Sequence, residues 1–291
     1  MGTEWNDWFE SWQLTLEVRG RRERTIEFYQ RELLRFGAHV DVPPLRVTKD
    51  MVRGWIKAQL EEGRAPNTIN NRLIVVKSFY SWLVDEGELT LSPAAGVSSP
   101  PHRGPDPDVL TDDEFNRLIV ATAGSDPFTR RNRAILLVLE SSGCRSSELV
   151  SMTDKGTDLR GRHIDVEGKG GAWRAVPISA RAAEAVDRYR RTRSQLKGTP
   201  GRLWWGRRGD MTTAGLEHAL QRLREQTGIN VHAHRFRHRF GHRWLAAGGS
   251  EAGLQVAAGW SSPIMPRRYG RALSVERMLD EHRRVLDMGE R

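Results

Sequence analysis

The segment from Val231 to His242 concentrates side chains that could bind a charged group or move a proton. It holds four of the nine histidines, interleaved with arginines: His232, His234, His238, His242, Arg235, Arg237 and Arg239. His234 and His238 have the i, i+4 spacing of a zinc-binding helix, but Arg235 stands where a metalloprotease has its glutamate. Guanidinium and imidazole groups without a carboxylate favour an anion such as phosphate. The alternative is a basic helix whose histidines are partly buried.

Two further basic side chains precede this segment. Arg145 lies after a glycine at the start of a predicted helix, and Glu148 follows one turn later. Glu148 could orient Arg145 or support the helix N-terminus. Lys169 lies in the Gly-rich turn of a predicted β-hairpin, where its ammonium could reach a substrate or serve as an ordinary turn residue.

Tyr269 is the tyrosine best placed to be exposed and mobile. It follows Pro263 and Pro266 on a segment that cannot be one continuous helix. The other three tyrosines lie in predicted helices: Tyr29, Tyr80 and Tyr189.

These motifs, in this order, resemble those of the tyrosine recombinases of the phage integrase family. They are Arg145 in Gly-Cys-Arg-Ser-Ser-Glu-Leu, Lys169 in Gly-Lys-Gly, His234-x-x-Arg237-His238, Gly259-Trp260-Ser-Ser and Tyr269. One motif is a weak signal, whereas five in order are a strong one. The resemblance covers most of the chain and extends to the small phage-type integrases that lack an arm-binding domain. It implies an enzyme that cuts and rejoins DNA without a metal, ATP or another cofactor.

The resemblance implies a role for each catalytic residue. Tyr269 would attack a DNA phosphate and form a 3′-phosphotyrosine, while Arg145 and Arg237 would hold the non-bridging oxygens. Lys169 would protonate the leaving 5′ oxygen. His234 would assist proton transfer at the tyrosine, whose free hydroxyl titrates near pH 10.

Further side chains are implied to support this site or to contact DNA. Trp260 is also implied to be a catalytic residue. It would donate its indole N–H to the phosphate or pack against the site. Glu148 and His238 are the supporting residues, with a purely structural role as the alternative for His238. The predicted DNA contacts are Asn70, Arg72, Lys77, Arg174, Arg235 and Arg239. For Asn70, Arg72 and Lys77 the alternative is a helix face that is exposed to solvent.

Charge is distributed unevenly along the 291 residues, whose formal net charge is +9. Residues 1–100 carry 13 Lys/Arg and 14 Asp/Glu, a net charge of −1, whereas residues 101–291 carry 33 and 23, a net charge of +10. A basic domain attracts a polyanion, with nucleic acid as the first candidate and a merely solubilising surface as the alternative. Cys144 is the one cysteine, which excludes an internal disulfide framework and a Cys-rich zinc module.

Prolines mark the predicted domain boundary. Five of the 13 prolines lie between Ser92 and Val109, a composition typical of an extended linker. The predicted domains are residues 1–95, a helical core-binding domain with a SAM-like fold, residues 96–107, the linker, and residues 108–291, the catalytic domain with a C-terminal tail. The predicted fold class is mainly α with a small antiparallel β-sheet. The two domains are expected to form a clamp around DNA.

Periodicity predicts the main elements of both domains. In the first, apolar residues recur on one face of a helix that opens at Pro66: Ile69, Leu73, Val76, Tyr80 and Leu83. In the second, Thr111 and Glu114 form a capping box. Residues 162–167 and 173–177 alternate as the strands of a hairpin. Helices are predicted over residues 180–195, 216–225 and 234–247.

The predicted partners are double-stranded DNA attachment sites, further copies of the chain in a tetramer on paired sites, and a directionality factor. The chain is expected to be a monomer in solution, in the cytoplasm and nucleoid-associated, without a membrane partner. An amphipathic tail from Ser274 to Leu286 would dock onto a neighbouring copy or pack on its own domain.

Several functions share these features. The first is an integrase that inserts or excises a mobile element or phage genome. The second is a resolvase or chromosome-dimer recombinase with the same chemistry. The third is a type IB topoisomerase, and the fourth is a non-catalytic DNA-binding protein. The complete set of motif residues argues against the fourth.

Overall fold

The computed structural model describes residues 2–101, 108–167, 173–260, 262–264, 266, 278–279, 282–283 and 286. The chain forms two compact units, Met1–Gly104 and Pro105–Arg291. Across the described residues helices dominate, and a three-stranded antiparallel sheet lies in the second unit, which confirms the predicted fold class. Within those stretches, no helix combines the length and apolar character needed to cross a lipid bilayer.

Unit 1 is built from helices around an aromatic core. Its helices are α1 (Gly2–Val18), α2 (Glu23–Val40), α3 (Lys49–Glu61) and α4 (Pro66–Asp85), with a 3-10 turn at Pro44–Arg46. The predicted helix from Pro66 is α4, and every predicted apolar position on it is buried. Tyr80 on α4 donates its hydroxyl to the Pro44 carbonyl at 3.0 Å. Rings from α1, α2 and α4 pack against one another: buried Trp12 stacks on half-buried Tyr29 and meets buried Phe79 edge-on.

Unit 2 combines further helices with the sheet. Its described elements are α5 (Asp112–Ala121), α6 (Pro127–Ser142), α7 (Ser146–Ser151), β1 (Thr157–Asp158), β2 (His163–Glu167), β3 (Trp173–Pro177), α8 (Ala180–Arg190), α9 (Thr213–Thr227), α10 (Ala233–Ala246) and α11 (Glu251–Ala258). The strand order is β1-β2-β3, with Ile164 opposite Val176. The predicted hairpin is therefore confirmed, while β1 is an additional strand of two residues.

Local caps set several of these boundaries. The Thr111 hydroxyl accepts the Glu114 amide, and the Glu114 carboxylate accepts the Thr111 amide, which confirms the capping box before α5. The predicted helix over residues 180–195 is too long, because α8 ends at Arg190 and a 3-10 turn follows at Arg193–Gln195. Arg193 there binds Asp154, with Nη2 and Oδ2 2.5 Å apart. Arg190, the last residue of α8, binds the same carboxylate, so Asp154 joins the end of the helix to the turn that follows it.

Candidate active site

A left-handed glycine at the end of α6 positions Arg145. Gly143 has φ +57°, and a Cβ atom at this position would lie 2.6 Å from Cδ1 of Phe240. Glycine relieves both constraints because it has no Cβ. The turn ends α6 and leads through buried Cys144 to Arg145, which directly precedes α7. The Arg145 side chain is 43% exposed, so its guanidinium remains accessible.

Glu148 is a buried carboxylate that holds two arginines. Its Oε1 accepts Nη1 of Arg145 at 2.7 Å, and its Oε2 accepts Nη2 of Arg174 at 2.8 Å. Oε2 also accepts the backbone amide of Arg145 at 2.8 Å. Burial raises the pKa of Glu148, but the amide hydrogen bond and the charges of Arg174 and Arg145 outweigh it, so the pKa lies below its ordinary value. Glu148 therefore stays ionised and fixes both guanidiniums.

Three successive carbonyls at the end of α11 bind three arginines. Arg174 donates to the Ala257 carbonyl, Arg237 to the Ala258 carbonyl and Arg145 to the Gly259 carbonyl, each at 2.7 Å. We call Ala257–Gly259 the carbonyl turn. Carbonyls at a helix C-terminus carry partial negative charge, which suits cationic donors. The carbonyl turn thereby brings together side chains from α10, β3 and the start of α7, immediately before Trp260.

Arg237 is the most buried of these three cations. It is 4% exposed, and its second donor bond goes from Nη1 to the Gly143 carbonyl at 2.7 Å. Its Cζ lies 4.7 Å from the ring centroid of Trp260, a cation–π distance. Burial, followed by the charge of Arg145, lowers the pKa of Arg237 to about 10. The guanidinium is therefore charged at neutral pH and held in one orientation.

His234 and His238 lie one turn apart on α10. Their ring centroids are 4.3 Å apart and their planes cross at 78°. His234 is exposed and His238 is half-buried. Among the residues that the structure describes, no group of three or more His, Cys, Asp or Glu side chains could hold a metal ion. Both imidazole rings therefore lie on α10, the helix that also carries Arg237.

Comparison with known proteins identifies the chain's family. The model of the "Phage integrase family" matches residues 108–275, and that of "Phage integrase, N-terminal SAM-like domain" matches residues 9–87. The chain belongs to the phage integrase family. It is a tyrosine-type site-specific recombinase, an enzyme that breaks and rejoins DNA.

Relatives of this recombinase match along most of their length. Tyrosine recombinase XerC of Salmonella typhi is 31% identical over 244 residues, which cover 81% of this chain and 80% of the relative. Tyrosine recombinase XerC of Actinobacillus pleuropneumoniae is 27% identical over 254 residues, covering 85% and 83%.

Solved structures share the fold at lower identity. A complex of the Tn1549 transposon integrase with circular intermediate DNA has a TM-score of 0.74 and 18% identity, covering 93% of this chain and 99% of that one. The XerH site-specific recombinase bound to palindromic difH substrate has a TM-score of 0.73 and 19% identity, covering 90% and 82%.

Arg235 and Arg239, two of the predicted DNA contacts of the recombinase, form ion pairs inside unit 2. Arg235 and Arg239 are 4% and 5% exposed. Arg235 Nη2 lies 2.8 Å from Asp108 Oδ1 and 3.1 Å from Glu114 Oε2. Arg239 Nη2 lies 2.5 Å from Asp112 Oδ1. Both guanidiniums therefore serve to join α10 to the acidic start of α5. Arg237 is equally buried but lies on a different side of the helix, and contact of Arg235 and Arg239 with DNA stays a prediction.

The other predicted DNA contacts lie in varied surroundings. Arg174 is held by Glu148 and the carbonyl turn, and its side chain is 18% exposed. Arg72 binds buried Glu32, with Nε and Oε2 3.1 Å apart, and its side chain is 13% exposed. Asn70 and Lys77 are half-buried on the same helix, α4. Contact of these four residues with DNA stays a prediction.

Parts of the predicted site lie outside the described residues. Lys169, between β2 and β3, and Tyr269 belong to this group, as do Ser274 and Val275 at the start of the predicted tail. Of the apolar tail positions that the structure does describe, three are exposed: Met278, Leu279 and Leu286.

The carbonyl turn is a part of the site that the sequence did not predict. Backbone carbonyls carry no residue-type signature, and their donors come from positions far apart in the chain. One signal was present, since Gly259 directly precedes Trp260 in a recognised motif. Gly259 has φ +63°, and a Cβ there would lie 2.7 Å from Nε of Arg174. Glycine at position 259 ends α11 and leaves room for the side chain of Arg174.

Proposed function

We propose that this recombinase cuts duplex DNA at paired sites through Tyr269 and rejoins the strands as a resolvase or chromosome-dimer recombinase. The observation that carries the proposal is the carbonyl turn, which gathers Arg145, Arg174 and Arg237 and ends ten residues before Tyr269 in the sequence. Fixed cations of this kind stabilise the charge that develops on a phosphate during substitution.

The chemical step is a transesterification. The Tyr269 oxygen attacks phosphorus, a Tyr–O–P bond forms, and the bond to the 5′ oxygen breaks. His234 accepts the tyrosine proton, and Lys169 donates a proton to the leaving oxygen. Arg145 and Arg237 bind the non-bridging oxygens. Rejoining reverses these bonds with a new 5′ hydroxyl, so the phosphotyrosine conserves the phosphodiester linkage without ATP or a metal.

The environment of the other tyrosines supports Tyr269 as nucleophile. Tyr80 is buried, and burial raises the pKa of its hydroxyl far above the ordinary value of 10. Burial also raises the pKa of Tyr189, whose hydroxyl accepts the Trp205 amide at 2.8 Å. Tyr29 stacks on Trp12 in the core of unit 1. The hydroxyls of Tyr80 and Tyr189 are therefore engaged by backbone groups rather than open to a phosphate.

The relatives favour resolution over integration of a phage genome. The matches that extend over about four-fifths of both chains are named tyrosine recombinases rather than phage integrases. Integration or excision of a mobile element is the second candidate, because the Tn1549 transposon integrase shares the fold along nearly the whole of its solved chain.

The DNA-bound form is proposed to contain four copies on two sites. Residues 1–95 and 108–291 would hold the duplex from two sides, with residues 96–107 as the linker between them. Solved neighbours of this fold are bound to DNA sites, which supports the duplex as partner.

A covalent-trap experiment tests this function. The full chain is expressed in a bacterial host and recovered under strong denaturant without a crosslinker, and any attached DNA is sequenced. Tyr269→Phe is the test variant, and Tyr29→Phe is the matched control that removes a hydroxyl from unit 1. We expect DNA on the wild-type protein and on Tyr29→Phe, and its loss from Tyr269→Phe.

The sequenced DNA separates the candidates. One or a few loci flanked by chromosome on both sides indicate resolution, and junctions between chromosome and a mobile element indicate integration. Scattered loci would indicate a topoisomerase. Attached DNA that persists in Tyr269→Phe would exclude this tyrosine as the nucleophile.

A further inference from the structure

Arg174 lies on the inward face of the β-hairpin in unit 2. The register of the sheet places it opposite Val166, and Val176 two residues later on β3 is fully buried, as is Val166. Residues two apart on a strand, and residues directly opposite each other, share one face of a sheet. Trp173 lies on the other face and is exposed. The buried face of the hairpin thus includes a charged side chain, which is only 18% exposed.

The guanidinium of Arg174 is anchored on the carbonyl turn. Its Nη1 donates to the Ala257 carbonyl at 2.7 Å. Its Nε is buried and, within the described residues, has no hydrogen-bond partner. A Cβ atom at Gly259 would lie 2.7 Å from this Nε, so the nitrogen faces the backbone of the turn. A buried N–H without a partner costs free energy, and the bonds made by the two Nη atoms must offset that cost.

The second Nη atom of Arg174 holds Glu148. Nη2 donates to Oε2 of Glu148 at 2.8 Å, and the same oxygen accepts the Arg145 amide at 2.8 Å. Oε1 accepts Nη1 of Arg145 at 2.7 Å. Each carboxylate oxygen therefore binds its own guanidinium, which fixes the plane of the carboxylate. Without Arg174, the carboxylate would be free to rotate away from the position in which it orients Arg145.

Arg174 also shares the negative charge of Glu148 with Arg145. Among the residues that the structure describes, these two arginines are the ion-pair partners of Glu148 within 4.0 Å. Burial and the charge of Arg145 lower the pKa of Arg237, and the charge of Glu148 acts in the opposite direction, so the same carboxylate reaches Arg237. A carboxylate that binds two guanidiniums neutralises each of them less than it would neutralise one alone. The accessible Arg145 thereby keeps positive charge for a ligand.

We propose that Arg174 is a positioning residue for strand cleavage: anchored on the carbonyl turn, it holds the Glu148 carboxylate, which in turn orients the Arg145 guanidinium toward the phosphate. The inference rests on the proposed function for the identity of that phosphate. It differs from the prediction that Arg174 itself contacts DNA, because both Nη atoms are already bonded within unit 2. Groups that orient the ligands of metal sites through hydrogen bonds change activity by about 10- to 100-fold, and we expect an effect of that size here.

The first arm of the test measures cleavage. The full chain and its variants Arg174→Gln and Arg174→Lys are mixed with a nicked duplex that carries the site recovered in the covalent-trap experiment. We expect formation of the covalent complex at saturating DNA to slow about 10- to 100-fold in both variants, while the half-saturating DNA concentration stays near that of the wild type. Lysine keeps the charge but lacks the planar fork of a guanidinium. A wild-type rate in Arg174→Lys would overturn positioning by the fork.

A direct phosphate contact by Arg174 would give the opposite result. The half-saturating DNA concentration would then rise, and the slope of log affinity against log salt would fall by about 0.9, while the rate at saturation stayed that of the wild type. This outcome would overturn the proposal.

Arg190→Gln is the matched control. Arg190 is another partly buried arginine of unit 2, whose side chain is 24% exposed and whose Nη2 lies 3.0 Å from Oδ1 of Asp154. We expect its cleavage rate to equal that of the wild type, and urea unfolding of each variant compares their stabilities. Equal slowing in Arg190→Gln and Arg174→Gln would assign the loss to stability and overturn the proposal.

The second arm tests whether Arg174 acts through Glu148. Glu148→Gln is made alone and together with Arg174→Gln, because residues in one chain of contacts have non-additive effects. We expect the added Arg174→Gln to change the rate of Glu148→Gln by less than about threefold. A further loss of about 10- to 100-fold in that background would overturn action through Glu148.

The third arm needs no DNA. Hydrogen exchange is measured at the Arg145 amide, which donates to Oε2 of Glu148. We expect faster exchange in Arg174→Gln and wild-type exchange in Arg190→Gln, and unchanged exchange in Arg174→Gln would overturn its hold on Glu148. Failure of the proposed function is read separately, because the wild type would then give no Tyr269-dependent covalent DNA while exchange at Arg145 still depended on Arg174.

Discussion

Unit 1 and unit 2 bury different kinds of side chain. In the described part of unit 1 the interior is largely aromatic and aliphatic, and its buried polar side chains are Glu32 and Gln59. The described part of unit 2 buries four arginines and two glutamates: Arg131, Arg235, Arg237, Arg239, Glu140 and Glu148. Transfer of charge into a protein interior opposes folding unless partners compensate it. Unit 2 therefore gives up packing stability to hold cations in fixed positions, whereas unit 1 does not.

The net charges follow the same division. Residues 1–100 sum to −1 and residues 101–291 to +10. Long-range attraction to a polyanion is thus a property of unit 2. The DNA contacts predicted for Asn70 and Lys77 on α4 would therefore depend on local interactions rather than on the net charge of unit 1.

The aromatic core of unit 1 gives the largest expected loss of stability. Trp12→Ala removes a fully buried ring that stacks on Tyr29 and meets Phe79, both with centroids 5.4 Å away. We expect a loss of about 3–5 kcal/mol in the free energy of unfolding. Hydrogen exchange followed by mass spectrometry should show the loss in unit 1 peptides. Leu14→Ala, at a position on the same helix that is 64% exposed, should leave exchange nearly unchanged.

The buried cations of unit 2 should matter more for chemistry than for folding. Arg237→Lys keeps the charge but loses the fork that joins the Gly143 and Ala258 carbonyls. We expect formation of the covalent complex to slow about 10²- to 10³-fold, as when one transition-state donor is removed. Arg243→Lys, an exposed position on the same helix, is the control. An unchanged rate of covalent-complex formation in Arg237→Lys would contradict the proposed role of Arg237 in binding the phosphate.

A smaller effect tests the close approach of Gly259 to Arg174. Gly259→Ala places a non-glycine residue at φ +63° with its Cβ 2.7 Å from Nε of Arg174. The backbone strain alone costs about 1–2 kcal/mol. Gly248→Ala is the matched control, because it has φ +82° and open space around the added Cβ. We expect Gly259→Ala to be the less stable variant in urea unfolding. Equal stability of the two variants would show that the Arg174 side chain moves aside without a cost in the free energy of unfolding.

The carboxylates that hold arginines predict acid sensitivity in unit 2. Burial raises the pKa of Glu148 and of Asp154, but their hydrogen bonds and the neighbouring arginines leave both pKa values below the ordinary values of 4.5 and 3.8. The unfolded chain therefore takes up protons first as the pH falls. The stabilisation is complete above pH 4.5 and is lost as the pH falls through the lowered pKa values.

Urea unfolding between pH 3 and pH 7 measures this loss. Glu148→Gln should flatten the dependence because it removes one of the titrating groups. The same slope in wild type and variant would show that Glu148 keeps its ordinary pKa in the folded state.

Local signals in the sequence predicted most of the fold. Pro66 and the apolar face that follows it indicated α4, and Thr111 with Glu114 indicated the start of α5, because caps and periodicity act within a few residues. The two-residue strand β1 carries too few side chains for an alternating pattern. Its pairing with β2 is decided by the fold of the whole unit.

The site was predicted less completely, for a related reason. The motif around Arg145 and Glu148 spans one helical turn, so its internal ion pair was foreseeable from the sequence. Glu114 on α5 binds Arg235 from more than 100 residues away in the sequence, so no local pattern indicated that Arg235 and Arg239 form ion pairs within unit 2. Distinguishing a phosphate ligand from an interior ion pair required the position of α5.

The carbonyl turn also has a consequence for the order of events during synthesis. Its three donors, Arg145, Arg174 and Arg237, all leave the ribosome before the carbonyls of Ala257–Gly259 that fix them. A nascent chain that has folded α6 and the hairpin still lacks the acceptors that align its guanidiniums. The three guanidiniums are thus aligned only after residues 257–259 have been made, and a chain that stops before them keeps the arginines but lacks the acceptors that orient them.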